Sequence, residues 1–538
     1  MLRLPRRLAA SVVVLAVVVS TWPQVLRLAS IDDFGDPLLN AWALAWIAHA
    51  GVTAPAHVFD ANIFFPERRT LAYSEALLAP GVALAPLAWL GVDPIAVHNV
   101  LLLLGCVLSG LAVYALARRL TSHDGAAIVA AVIFAIYPYR IEEYPKVQLQ
   151  LLMGWPLALL AAHRLIERAS PGGAMALAAA VALQAYCCMY YGVMGVAFAS
   201  IVIGASIVIM PAARRGRAIR WIAAGAILAG VIVAPLALEY RAASLVVGER
   251  HADDAANGSA IVTDYRRAHP ENALYGDDNH PGQGERRLFP GYTTPLLAIG
   301  ALVPPIDAVA IPYALGGLAA FDLSLGFNAP GYRWLFEHVA PLRALRVPAR
   351  FGMFVGLALS VLAGVGVARA CRHRSPAGQA AIVAIAIVLV IFESRMRPQT
   401  FVDLPDRAPA VYAWLASAPR GVVCEYPVGP LEGRAGPQDA TYMYYSTQHW
   451  QPLVNGYSGF TPSSYSALVD ALGGFPDDRA IRYLHDRGVT YLLVHSVFYI
   501  RGNFDADVRA LEARSDLEAI GMFPWRGGGR TAVFRISR

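Results

Sequence analysis

Charge is what this sequence has least of. Only 15% of its 538 residues are charged, against roughly a quarter in soluble globular chains. Cysteine is scarce too: five in all, with neither metal-ligand spacing nor a disulfide framework. Cys106, Cys187 and Cys188 fall in apolar stretches, Cys371 at the edge of one, and Cys424 stands alone. A glycine-rich phosphate loop, a Ser/His/Asp arrangement and a nucleotide fingerprint are all missing, which argues against a nucleotide-powered pump. Internal repeats and low-complexity segments are missing as well.

What is present is apolar sequence, at 57% of residues and a mean hydropathy of +0.48. It comes in uncharged blocks that recur from Leu8–Leu26 to Ser375–Phe392. A membrane span takes roughly 17–25 mostly apolar residues, so the block Ala169–Ala213 must hold two. Tyr190-Tyr191-Gly192 is the natural turn between them. The class is therefore a polytopic α-helical membrane protein of about eleven spans. A cleaved signal peptide is the other reading of Met1–Ser30, but that apolar run is long enough to span and many others follow.

The arginines orient the spans. With the N-terminus inside, Arg118, Arg119, Arg164, Arg168, Arg214, Arg215, Arg217 and Arg220 fall on the cytoplasmic side. Arg369, Arg372 and Arg374 join them, as the positive-inside rule expects. The turn Val303–Asp307 carries no cation and breaks the pattern. The net charge of +6 thus reads as membrane anchoring, with no nucleic-acid partner expected. On this topology residues 1–393 form the membrane domain, with external loops at about 29–75, 239–290 and 322–350. Residues 394–538 form a soluble α/β domain on the outer side. Its strands are expected at Val422–Tyr426, Tyr491–His495 and Thr531–Ile536, and its helices at Ala408–Ala418, Ser463–Leu472, Pro476–Arg487 and Phe504–Arg514.

Three constellations can carry chemistry. The first is Asp32, Asp33 and Asp36, where Asp36-Pro37 predicts a helix start with Asp36 as N-cap. From there Leu38, Trp42, Ala45, Trp46 and His49 mark one face of an amphipathic helix suited to the membrane interface. Asp36, or Asp33, can serve as a general base toward an acceptor hydroxyl, and capping alone also accounts for Asp36. The three acids could instead hold a divalent cation. The second is Tyr137–Lys146: Arg140 and Lys146 suit a phosphate and Glu142 or Glu143 sugar hydroxyls, while interfacial anchoring is the plainer use. The third is Arg333, Arg343, Arg346 and Arg350, cations on the outer side against the charge rule, where a guanidinium fork matches phosphate oxygens. In the long loop, Asp253, Asp254, Asp264, His269 and Asp277–His280 read as a solvated surface. In the tail, Tyr442, Tyr444, Tyr445, Trp450, Tyr457 and Phe460 offer faces for sugar rings or for core packing.

Several passages together resemble the GT-C superfamily of membrane glycosyltransferases, and within it a bacterial multi-spanning group. They are Gly35–Trp46, Asp60–Pro66, Pro138-Tyr-Arg140 with Gln148, Leu288–Gly291, Leu345–Phe351, Tyr442–His449 and Asn455–Phe460. The resemblance implies a sugar donor on a polyprenyl phosphate, with an acid of the first external loop acting on the acceptor. That role falls on Asp36, with Asp33 as alternate, and Arg343, Arg346 and Arg350 would face the carrier phosphate. Where relatives often show histidines after Pro-Tyr-Arg, this chain has Glu143 and Lys146. The implied setting is the outer face of a bacterial inner membrane, with an envelope glycan, lipid or protein as acceptor and the C-terminal domain in the periplasm. A flippase for a lipid-linked glycan, which would place acids and bases at mid-membrane, and a non-catalytic envelope scaffold are the rivals.

Overall fold

The computed structural model describes residues 5–276, 284–404, 406–407, 409–429, 437–499 and 502–537. Among them, seven helices are long and apolar enough to cross a membrane: Pro94–Thr121, Asp124–Glu142, Val147–Glu167, Met189–Ile209, Ala212–Val247, Pro348–Cys371 and Pro376–Glu393. Shorter apolar helices, including Arg7–Ser20, Pro171–Cys187 and Thr293–Leu302, accompany them. The expected total of about eleven spans requires some of these shorter helices to cross as well. Contacts sort the chain into two compact units. One joins Met1–Leu28, Asn99–Leu236 and Glu249–Gln399; the other joins Ala29–His98, Ala237–Gly248 and Thr400–Arg538.

The first unit is a helix assembly around Gly352–Cys371, which is buried along nearly its whole length. Helices Asp124–Ala135, Thr293–Leu302 and Ala310–Ser324 pack on it. Small residues permit the close approach: a Cβ at Gly366 would sit 2.1 Å from the Leu297 carbonyl oxygen, so only glycine lets those backbones meet. The turn expected at Tyr190–Gly192 lies instead at Cys188, between helices Pro171–Cys187 and Met189–Ile209. The Cys188 sulfur accepts from the Tyr191 amide 3.4 Å away. That contact caps the second helix one turn earlier than the tyrosines suggested.

The second unit is built on helix Asp36–Thr53 and a four-stranded sheet. The helix begins at Asp36 rather than after it. Gly35 takes the capping position, its carbonyl accepts from the Leu38 and Leu39 amides, and no side chain caps the end. Pro37 stands in the first turn as expected, and Asp36 lies where the helix dipole favours an anion. The predicted amphipathic face is not found. Both faces are buried, because helices Leu78–Trp89 and Pro437–Ser446 pack on it. A helix apolar all round goes inside, and a face assigned from two tryptophans missed that.

The strands are β1 (Val422–Tyr426), β2 (Val489–His495), β3 (Leu517–Pro524) and β4 (Arg530–Ile536), in the order β1-β2-β4-β3. β1 and β2 run parallel, while β4 is antiparallel to both β2 and β3. The chain around Asn62–Phe65 joins this fold through backbone bonds: Phe64 and Phe65 donate to the Asn455 and Leu453 carbonyls, and Leu453 donates back to Asn62. A ladder bridge pairs Ile31 with Val402. Beneath the sheet lies a buried polar network. His495 on β2 meets Glu425 on β1 at 2.9 Å, and Tyr412 donates to the same carboxylate oxygen at 2.6 Å. Asp439 accepts from Tyr465 at 2.6 Å and from Asn455 at 3.0 Å. A low-dielectric interior makes such a network costly unless its members find partners.

Candidate active site and anion-binding cluster

The three aspartates of the first external segment lie on the approach to helix Asp36–Thr53. The bridge between Ile31 and Val402 fixes the backbone directly before them. Asp33 is exposed, whereas Asp32 and Asp36 are half-buried. Burial pushes the Asp32 carboxyl up to about 6; backbone hydrogen bonds offset part of that, and the nearby charges of Asp33 and Asp36 add to it. The Asp36 carboxylate accepts a hydrogen bond from the Tyr457 hydroxyl at 3.2 Å. Gly35 makes room for that contact, since a Cβ there would lie 3.3 Å from the Tyr457 oxygen. The result is one oriented carboxylate, one open to water, and one poised near neutrality. Among the described residues, no three His, Cys, Asp or Glu side chains gather as a metal-holding set.

A second cluster is built within the other unit. Glu143, wholly buried, accepts from the Tyr139 hydroxyl at 3.0 Å and pairs with Lys146, the chain's single lysine, at 2.9 Å. Arg350 approaches the same Glu143 at 3.6 Å and lies over the Tyr190 ring at 4.7 Å. Lys146, Arg346 and Arg350 then converge on Glu285: Arg350 at 3.1 Å, Arg346 at 3.6 Å, and Lys146 in direct contact. Burial opposes the Glu285 charge, but Arg350, Lys146 and Arg346 outweigh it and hold the carboxyl down at about 2. Beside these groups opens a cavity of about 510 Å³, lined by Asp254, Asn257, Gly258, Gly284, Glu285, Arg286, Arg346 and Val347. Arg346 keeps 49% of its side chain exposed, so it is the cation of the set most open to a ligand.

Of the residues singled out from sequence, Glu143, Lys146, Arg346 and Arg350 are thus brought together. Arg140 and Arg343 have other engagements. Arg140 is buried and donates to the carbonyls of Phe134 at 2.7 Å and Gln150 at 2.9 Å, which ties two chain segments together. Arg343 donates to the carbonyls of Phe336 and Glu337, closing its own turn. Arg333 lies over the Phe327 ring. Glu142 is half-buried and pairs with Arg287. Asp264, read as a loop acid, is buried, binds Arg267 at 2.8 Å and caps the short helical turn that follows Ile261. Asp277–His280 lie outside the described residues.

Sequence reasoning missed Glu285. It stands 139 residues from Lys146, in a loop full of other acids, and its one local signal is the adjoining pair Arg286-Arg287. The aromatic residues of the tail divide. Tyr442, Tyr444 and Tyr445 are buried on helix Pro437–Ser446 and serve the core, whereas Trp450, Tyr457 and Phe460 keep part of their surface.

No family model matches the chain, and no curated protein matches it. Among solved structures it is similar to the oligosaccharyltransferase of Archaeoglobus fulgidus, determined as a complex with Zn and sulfate. The TM-score is 0.46 at 11% identity, over 91% of this chain and 67% of that one.

Proposed function

We propose that this chain is a membrane glycosyltransferase of the GT-C type. It would move a sugar from a polyprenyl-phosphate donor to an envelope acceptor, with inversion, at the outer face of a bacterial inner membrane. The observation that carries the reading is the set Lys146, Arg346 and Arg350 beside a cavity of about 510 Å³. It lies on segments that the arginine pattern assigns to the outside. Breaking a glycosyl–phosphate bond leaves growing negative charge on the phosphate, and preorganised cations lower the barrier most where charge develops. The acceptor hydroxyl attacks the anomeric carbon and gives its proton to a base, and the phosphate departs with the bonding pair. The resemblance assigns that base to Asp36, which Tyr457 holds, with the open Asp33 as alternate. No step is assigned to a divalent cation.

Purified protein, incubated with labelled polyprenyl-phosphate sugars and envelope extract, should transfer label to an acceptor. Asp36→Asn should lose that turnover while unfolding at an unchanged temperature. Full turnover in Asp36→Asn refutes Asp36 as the base, full turnover in Asp33→Asn as well refutes its alternate, and no transfer with any donor refutes the class.

A further inference from the structure

We propose that Glu285 is a resident anion: its carboxylate occupies the cationic seat that a phosphate group takes, and a phosphate-bearing ligand binds by displacing it. This rests on reading Lys146, Arg346 and Arg350 as phosphate-facing. Four features of the cluster lead there.

All three cations point at one atom, Oε1 of Glu285. A guanidinium fork is satisfied by two oxygens side by side, as a phosphate or a bidentate carboxylate presents them. Three cations from two chain segments crowded onto one oxygen therefore form a better seat for a group with several anionic oxygens. Removing Glu285 leaves Glu143 alone against two buried cations, one negative charge short of balance, which an incoming anion restores. Lys146 and Arg350 keep Glu143, which is wholly buried and braced by Tyr139, while Arg346 is half open to water. The seat is stable with its second anion exchanged.

Glu285 itself is held in a conformation that costs energy. Its φ is +71°, the left-handed region that a side chain with a Cβ rarely adopts, and such strain concentrates at working sites. The backbone is held from both sides: its amide donates to Glu142 at 2.9 Å, and its carbonyl lies 2.9 Å from the Tyr139 hydroxyl, whose one proton it shares with Glu143. Exchange thus needs only the side chain to swing, and the adjoining cavity gives it somewhere to go. Glu285 becomes a specificity residue: weak or singly bonded anions fail to dislodge it, and only a ligand that engages several cations at once succeeds. The shared chemistry is a phosphate group, whether free or on a lipid.

The test is titration of inorganic phosphate into the full-length protein in detergent, natural and Glu285→Gln, by calorimetry. Removing the competing charge should tighten phosphate about tenfold or more; equal or weaker binding by Glu285→Gln overturns the proposal. Arg346→Gln, which leaves the buried Lys146–Glu143–Arg350 set in place, should weaken phosphate about tenfold, and an unchanged affinity overturns it independently. In the natural protein, phosphate should raise the unfolding temperature where chloride of equal ionic strength does not; no difference overturns it even if neither variant folds. Repeating the titration in nanodiscs of phosphatidic acid or phosphatidylcholine separates the sources. Phosphatidic acid that blocks phosphate identifies a lipid headgroup, and indifference identifies free phosphate. No sugar donor is present, so these outcomes stand apart from turnover. Tighter phosphate in a protein that transfers no sugar sinks the transferase alone, and sugar transfer without phosphate exchange sinks only this inference.

Discussion

Tyr457 and Asp36, 421 residues apart, are joined by a hydrogen bond of 3.2 Å from the phenol to the carboxylate. The bond holds one oxygen of the carboxylate and directs the other. A hydrogen bond to a charged group contributes roughly 1.5–3 kcal/mol, enough to matter for orientation and too little to decide folding. Tyr457→Phe should therefore lower kcat for sugar transfer about tenfold or more with little change in unfolding temperature. Turnover equal to the natural protein would mean that Asp36 needs no help to aim.

Asp32 makes a pH prediction. Its folded carboxyl titrates at about 6 against an ordinary value of 3.8. Below about pH 6 it is neutral, and above that it adds a negative charge beside Asp33 and Asp36. A base is more effective with a second anion near it, so kcat should rise with pH through an inflection near 6. Asp32→Asn should flatten that limb while the rest of the profile stays. The linkage runs the other way for stability. Because folding raises this carboxyl, its contribution is fully present below about pH 4 and is lost as pH climbs to about 6. An inflection that survives in Asp32→Asn would assign it to another group.

How much of this was legible in the sequence follows from what each residue's neighbours in the chain could reveal. Apolar blocks reveal themselves because a span is local, so long helices such as Pro94–Thr121 and Pro376–Glu393 were expected where they lie. Strands β1, β2 and β4 were legible from their β-branched runs. β3 was not: Leu517–Pro524 carries Gly521 and a largely exposed pattern, and it is a strand only because β4 pairs with it. Helix Pro437–Ser446 hid behind its tyrosines, which look like a binding motif and serve the core. The aspartates could be found because they adjoin in sequence. Glu285 could not, because its meaning comes from Lys146, Arg346 and Arg350, each far from it along the chain. Arg140 shows the converse: a cation in a promising motif whose partners are carbonyls.

Arg140 gives a test that separates scaffold from site. Its guanidinium serves the Phe134 and Gln150 carbonyls, while Gln150 donates back to the Arg140 and Glu143 carbonyls. Leaving buried carbonyls without donors costs about 1–3 kcal/mol each. Arg140→Ala should therefore lower the unfolding temperature and the yield of folded protein, while the fraction that folds keeps its KM for the lipid-linked donor. A KM raised tenfold at an unchanged unfolding temperature would return Arg140 to the phosphate.

The buried network of the second unit predicts an unusual direction for stability against pH. Burial pushes the Asp439 carboxyl up to about 7; hydrogen bonds from Tyr465 and Asn455 restrain the rise, and the charge of Glu425 adds to it. Tyr465 and Asn455 face Asp439 directly, and Glu425 on β1 is held by Tyr412 and by His495 on β2. In the unfolded chain the same carboxyl titrates near 3.8. Between these two values the folded state binds the proton and the unfolded state has lost it. The stabilisation is therefore greatest below about pH 4 and drains away as pH rises to about 7, after which it is flat. Asn at this position cannot ionise, so Asp439→Asn should lack that slope even though it loses one acceptor and is less stable overall. The measurement is denaturant unfolding of the full chain followed by tryptophan fluorescence, natural protein minus variant, at intervals from about pH 5 to 8. A difference that shrinks steadily toward pH 7 carries the signature of Asp439. A difference that stays flat from about pH 5 to 8 would mean that Asp439 is ionised in the fold throughout, with Tyr465 and Asn455 stabilising the anion rather than a neutral acid.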